Sequence, residues 1–258
     1  MIVLEESAVF EKMWLLILIS VRMTGMLLIA PFFSASAIST PIRVTLTITL
    51  AFLLSNYISV PSVDMFSLMG AILLAREVLI GVMIGLIYQL IFAAIAMAGE
   101  QIAFSMGLGF ASIIDPQTGS QSPVITQFLS ILLVLIFLSV EGHHLLIQHV
   151  VLSYISLPIE LKFDTDIFLN ISRSAALIFS IAIIFAMPII VALFCSNLLI
   201  GLLTRVAPQM NIFSVGFPLT ILIGLALLLV LMPSMSDSLS VLIENAAATT
   251  RKLILGEV

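Results

Sequence analysis

SAALIFSIAIIFAMPIIVALFCSNLLIGLLT (Ser174–Thr204) is followed, after Arg205 alone, by VAPQMNIFSVGFPLTILIGLALLLVLMPSMS (Val206–Ser236). Neither run contains a charged side chain. A helix crosses ~30 Å of hydrocarbon with about 20 apolar residues, so each run is longer than one span. Both also carry proline: Pro188 in the first, and Pro208, Pro218 and Pro233 in the second. Proline removes a backbone donor and kinks or ends a helix. Irregular backbone at membrane depth is tolerated only where protein or a water-filled cavity satisfies the freed groups. The two runs therefore predict an all-α, membrane-embedded fold of helical hairpins. Several of these helices are expected to be kinked or broken by proline and packed against partner subunits.

The rest of the chain follows the same plan. Apolar runs cover Met13–Phe33 (interrupted by Arg22), Val44–Val60, Met65–Ala75, Val78–Gly99, Val124–Val140 and Leu145–Pro158. Four or five of the eight runs approach a span in length. The shorter ones suggest re-entrant or sheltered segments. Apolar residues make up 62% of the chain and charged residues 9%, with a mean hydropathy of +1.31. A soluble domain carries about 45–50% apolar and about 25% charged residues, so the solvent of this chain is lipid or an apolar interface. The 258 residues read as one domain, residues 1–258. Thr45-Leu46-Thr47-Ile48-Thr49-Leu50 alternates with period two. One such segment cannot make a barrel, and it is read as a helix with a threonine-rich face. Ala35-Ser36-Ala37 imitates a signal cleavage site, but Glu5, Glu6 and Glu11 make the preceding stretch acidic. The first run is therefore expected to be retained. Arg251 and Lys252 favour a cytoplasmic C-terminus.

The few polar side chains within these runs are the candidates for function. Gly81 and Gly85 form a GxxxG stripe that lets another backbone approach, continued by Ala93, Ala94, Ala96 and Ala98. Arg76 and Glu77 are adjacent, do not face each other on a helix, and are expected to have separate partners. Glu100 is either a proton-coupling carboxylate or a helix-end group hydrogen-bonded to a partner or water. Gly99 beside it favours the helix end. His143, His144 and His149 near Glu141 lack the spacing of metal ligands on one helix face and read as a polar cap at the membrane surface. Cys195, beside Phe194, reads as a small buried hydrophobe. The net charge is −5 with no basic cluster, which gives nucleic acid no electrostatic footing. No nucleophile–base pair, phosphate loop or metal spacing is present, so neither an enzyme nor a cofactor is expected.

One stretch departs from the pattern of spans: GLGFASIIDPQTGSQSP (Gly107–Pro123). It begins apolar and glycine-rich and turns polar at Asp115-Pro116, a turn-initiating pair. An ordinary exposed loop has no use for Leu108, Phe110, Ile113 and Ile114, so this one reads as a loop that folds back and plugs an opening.

Gly201-Leu202-Leu203-Thr204-Arg205-Val206-Ala207-Pro208-Gln209-Met210-Asn211-Ile212-Phe213, with Gly216-Phe217-Pro218, resembles a signature of the FliR family of flagellar export-gate subunits. Gly99-Glu100-Gln101 with Met106–Ala111 and Asp115-Pro116 is similar to a second signature of that family. Arg22, Pro31, Pro41 and Arg43 resemble its N-terminal pattern, and Arg76-Glu77 with Gly81 and Gly85 another. The resemblance implies a subunit of the type III protein export gate in the bacterial inner membrane, at the flagellar basal body. Its implied partners are FliP and FliQ in a closed-ended helical channel, with FlhB and FlhA nearby, membrane lipid, and unfolded flagellar proteins as cargo. The homologous subunit of a virulence injectisome is the alternative, and a proton-coupled transporter centred on Glu100 is the rival of another class. The resemblance makes Gly107, Leu108, Gly109, Phe110, Ile114, Asp115 and Pro116 the channel plug, with Gly107 and Gly109 as hinges. Gly81, Gly85, Glu100, Gln101, Arg205, Pro208, Gln209, Asn211 and Phe213 become subunit-assembly contacts.

Overall fold

The computed structural model describes residues 2–34, 38–59, 63–108, 123–160, 177–206 and 216–252. Among these residues the regular secondary structure is entirely helical. The seven helices are α1 (Ile2–Ile29), α2 (Thr40–Leu54), α3 (Leu68–Ser105), α4 (Val124–Ser139), α5 (Gly142–Ser156), α6 (Leu177–Val206) and α7 (Phe217–Thr250). Four segments are long and apolar enough to cross a membrane: Val9–Ile29, Leu68–Ser105, Phe179–Leu203 and Phe217–Thr250. The α4–α5 pair, bent by 63°, makes a fifth if it is one broken span.

Prolines stand mostly at helix ends. Pro31 follows α1 and Pro158 follows α5, whereas Pro41 and Pro218 are the second residues of α2 and α7, where a missing N–H costs nothing. Pro188 and Pro233 are the exceptions, for α6 and α7 run on through them. An interior proline costs about 3 kcal/mol. Ending a helix would orphan four carbonyls and four N–H groups, each worth several kcal/mol in lipid, so continuation is the smaller loss. The sharp break falls instead at Glu141, which adopts a left-handed φ of 55° between α4 and α5.

Other local expectations need correction. Met65–Ala75 and Val78–Gly99 are not separate segments, because α3 takes in Leu68 to Ser105 without a break. At 1.5 Å per residue it is about 57 Å long. Gly99 lies inside α3 and ends nothing. The threonines of α2 do not share a face: Thr45 and Thr49 are exposed, and Thr47 is buried with its hydroxyl donating to the Arg43 carbonyl. Cys195 is exposed, like Phe194 next to it. Exposure in this chain means an apolar face awaiting lipid or another subunit, so the usual preference of cysteine for burial does not separate inside from outside here.

The chain divides into two compact units, each assembled from discontinuous segments. The first comprises Met1–Leu90, Leu138–Ala175 and Ile243–Val258. Here α1 packs on α2 and α5, with Leu18, Ile19, Met23, Met26, Ile84 and Val150 fully buried. The crossing of α1 and α3 is glycine-lined from both sides. A Cβ on Gly25 would lie 2.6 Å from the Val78 carbonyl oxygen, one on Gly85 2.9 Å from that of Met26, and one on Gly81 would overlap that of Arg22. The second unit comprises Ile91–Phe137 and Ala176–Leu242. Its core includes Ala98, Ile102, Met106, Leu133, Phe137 and Leu193. Gly99 meets the backbone of Thr126 there, a Cβ falling 2.7 Å from the Thr126 Cα. Only 22% and 17% of the most apolar stretches of α6 and α7 are buried, against 56% for α3. The outward faces of these two helices, Phe194, Leu199, Leu222 and Val230 among them, are therefore apolar and not covered by the described residues.

The α1–α3 crossing gives a direct test. Gly81→Ala must push α1 off α3 and is expected to destabilise the protein by about 2 kcal/mol, read by thermal unfolding in detergent. Gly201→Ala, whose added Cβ would meet nothing within 4 Å, is the control and should leave the transition in place.

Candidate functional site

Two arrangements stand out, one in each unit. In the first unit, Glu77 lies between two guanidiniums. Its Oε2 accepts from Arg22 Nε at 2.6 Å and its Oε1 from Arg76 Nη1 at 2.9 Å. Arg22 and Glu77 are fully buried, and Arg76 nearly so. The remaining donors are engaged as well. Arg22 Nη1 donates to Ser153 Oγ (3.0 Å) and Nη2 to the Leu157 carbonyl (2.9 Å), while Arg76 Nη1 reaches the Pro158 carbonyl (3.0 Å). The Arg22 guanidinium also sits 4.0 Å from the centroid of the Tyr154 ring, whose hydroxyl donates to the Ile19 carbonyl. Arg76 and Glu77 thus do pair, contrary to the expectation from their adjacency. A long arginine side chain curls back along its helix to a carboxylate that already faces Arg22. The result is a polar staple joining α1, α3 and the end of α5, where the last carbonyls of a helix lack internal partners.

The histidines also divide. His144 and Glu141 are exposed and pair at 3.4 Å beside the α4–α5 break. His149 is fully buried, with Nδ1 3.1 Å from the Tyr88 hydroxyl, and so does not belong to a surface cap. No cluster of metal-ligating side chains occurs among the described residues.

In the second unit the structure fixes both roots of the Gly107–Pro123 stretch. At the end of α3, Gly107 N donates to the Phe104 carbonyl and Leu108 N to the Ala103 carbonyl, each at 3.0 Å. That pair of bonds is the Schellman cap, which places its glycine in the left-handed region, and Gly107 has φ +83°. The start of α7 closes over this cap. A Cβ on Gly107 would fall 2.6 Å from the Phe217 ring, and Thr220 Oγ1 donates to the Met106 carbonyl at 3.2 Å. The Met106 side chain lies over Gly224. At the other root, α4 begins with Gln127 N bonded to the Pro123 carbonyl (3.1 Å), one residue past the contact of Thr126 with Gly99.

The sequence-predicted site residues distribute as follows. Gly81 and Gly85 face α1 inside the chain. Glu100 and Gln101 are exposed on α3, and Arg205 is exposed in the last turn of α6, where a cation suits the helix dipole. Gly107 and Leu108 form the cap. Gly109, Phe110, Ile114, Asp115, Pro116, Pro208, Gln209, Asn211 and Phe213 lie outside the described residues. Sequence reasoning missed Ser153, Tyr154 and the carbonyls of Leu157 and Pro158 as receivers of the arginines, and Phe217 and Thr220 as the clamp on Gly107. The available signal for the first group was three charges stranded in apolar runs, which must find one another when water cannot reach them.

The chain matches the bacterial export proteins, family 1, over residues 13–246. It is 40% identical over 223 residues to the flagellar biosynthetic protein FliR of Pectobacterium carotovorum subsp. carotovorum, covering 85% of each chain. The protein of that name from Escherichia coli (strain K12) is 34% identical over 213 residues, 82% of each chain. That from Bacillus subtilis (strain 168) is 38% identical over 161 residues, 61% of this chain and 62% of its own.

Both arrangements can be tested by substitution. Glu77→Gln leaves two guanidiniums facing a neutral amide; breaking a buried pair in this way costs about 3–5 kcal/mol, so the variant should accumulate poorly in membranes by immunoblot. Gly107→Ala combines left-handed strain with the Phe217 contact and should cost about 3 kcal/mol in thermal unfolding. Phe217→Ala placed in that background should relieve the contact and leave the strain, so the two changes will not add.

Proposed function

The chain belongs to the bacterial export proteins, family 1, and within them to the FliR family, and from that premise we propose how it works in the flagellar protein export apparatus. In this reading it joins FliP and FliQ in the bacterial inner membrane at the basal body. Together they form the channel through which unfolded flagellar proteins leave the cell, with FlhB and FlhA as neighbouring components. Residues 109–122 close that channel.

The observation that carries the reading is the rooting of this segment. A loop free to wander would need only a flexible connection at each end. Here the departing end is a Schellman cap held under Phe217 and Thr220, and the returning end starts at Pro123 beside the Gly99–Thr126 contact. The intervening residues, with Phe110, Ile113 and Ile114 near the first root, are of the kind that closes a pore by dewetting. No catalytic group is required. Closure must withstand ions and yield to a polypeptide, which apolar side chains on a glycine-containing segment do without any chemical step.

The uncovered faces of α6 and α7 support the subunit role. An apolar helix face is stable against lipid or against another subunit, and the Arg205 region beside it is where the family resemblance is densest.

Replacing residues 109–122 by glycine and serine at equal length keeps both roots. Cells carrying this variant should assemble the complex, as shown by co-purification, and should leak ions across the inner membrane. An assembled complex that stays tight would place the seal in another subunit and defeat the proposal.

A further inference from the structure

The faces of α6 and α7 that meet within the second unit leave a cleft of about 480 Å³ between the Pro188 region of α6 and the Asp237 region of α7. Its walls are apolar except where Ser234, Asp237 and Ser238 line it, midway along the α7 side between Leu231 and Leu242. Apart from the Ser234 hydroxyl, its polar groups accept hydrogen bonds. Asp237 is a carboxylate, the Ser238 hydroxyl has already given its proton to the Ser234 carbonyl, and Pro188 has no N–H to offer the carbonyl of Ile184 four residues back. Ile184 and Pro188 line the same cleft.

Asp237 has no ion pair among the described residues. The second unit cannot provide one nearby either, for its sequence holds a single basic residue, Arg205. Arg205 stands seventeen positions beyond Pro188 on α6, about 25 Å along the helix. A carboxylate beside uncovered apolar helices is costly to leave in hydrocarbon, and such groups face a partner or a wet cavity.

We propose that this cleft seats the apolar ridge of a helix from a neighbouring subunit of the export apparatus, with one lysine or arginine of that helix paired to Asp237. The proposal rests on the functional reading above for the existence of such a subunit. Charge selects this occupant over the others. A lipid acyl chain offers no donor to the carboxylate or to the freed carbonyl, and a phospholipid headgroup brings any ammonium it has together with a phosphate that Asp237 repels. An apolar helix with one cation supplies both requirements, and an arginine or lysine near a helix face can reach a carboxylate while its stem stays in the cleft.

The test uses the full chain in cells that build the apparatus. A benzophenone amino acid is placed at Val241, an exposed lining residue, and its adducts are mapped by mass spectrometry after irradiation. The expected adduct is a membrane helix of another apparatus subunit, with lysine or arginine within one turn of the crosslinked residue. Asp237→Asn should then lower recovery of that subunit about tenfold per copy of this chain, and Asp237→Glu should retain it. Adducts to lipid alone, to a second copy of this chain, or to a helix without a basic residue would each overturn the proposal. So would unchanged recovery with Asp237→Asn. If the chain fails to co-purify with the apparatus at all, the functional reading falls, while the crosslink still reports what fills the cleft.

Discussion

A carboxylate held between two guanidiniums, away from water, organises the first unit. Taking such groups out of water costs several kcal/mol per ion, and the attraction between them offsets it only when the geometry is good and the remaining donors are satisfied. Here Glu77 uses both oxygens, Arg22 uses three nitrogens, and Arg76 Nη1 reaches both Glu77 and the Pro158 carbonyl. That satisfaction requires α1 and α3 to lie backbone against backbone, which is what Gly25, Gly81 and Gly85 permit. The two features depend on each other. Gly81 abuts the carbonyl of Arg22 itself, so a side chain added at the crossing would displace the very residue that reaches Glu77. Apolar packing alone could slide along the helix axis, because one leucine-lined ridge resembles the next. An ion pair with a 2.6 Å contact cannot slide.

Helicity, membrane character and the family were legible in the sequence because each rests on composition or on contiguous motifs. Runs without charge can only be helices in lipid, since each backbone group must then be satisfied within its own segment. Pairing was less legible. Arg76 and Glu77 looked incapable of meeting because the i,i+1 rule speaks of Cβ directions, and an arginine side chain is long enough to defeat it. Proline ends or starts several helices, but α6 and α7 run on through Pro188 and Pro233. In water, a helix stopped by Pro188 or Pro233 would have its loose ends solvated, whereas in lipid or against a subunit it would not. Cys195 and Gly99 misled for related reasons. Burial propensities come from soluble proteins, and a glycine in a membrane helix as often marks a close contact, here with Thr126, as a terminus.

The second unit inverts the logic of the first. Where Arg22, Arg76 and Glu77 neutralise one another inside the chain, Arg205 on α6 and Asp237 on α7 stand far apart beside exposed apolar side chains, neither of them in an ion pair with the described residues. A chain meant to end its interactions in lipid would gain by shedding those charges, for a charged residue at membrane depth is costly and an alanine or leucine is not. Keeping them is reasonable if the faces that carry them are finished by other subunits. The clamp on Gly107 fits the same division of labour. Met106, Phe217, Thr220 and Gly224 fix the root of the 109–122 segment through contacts made wholly inside this chain, so the segment's starting direction is set before any partner arrives. In the proposed channel, the partners' contribution is the wall against which it closes. A seal built this way can be opened by moving the wall, with no change at the root, and that separates the part of the gate that must be rigid from the part that must yield.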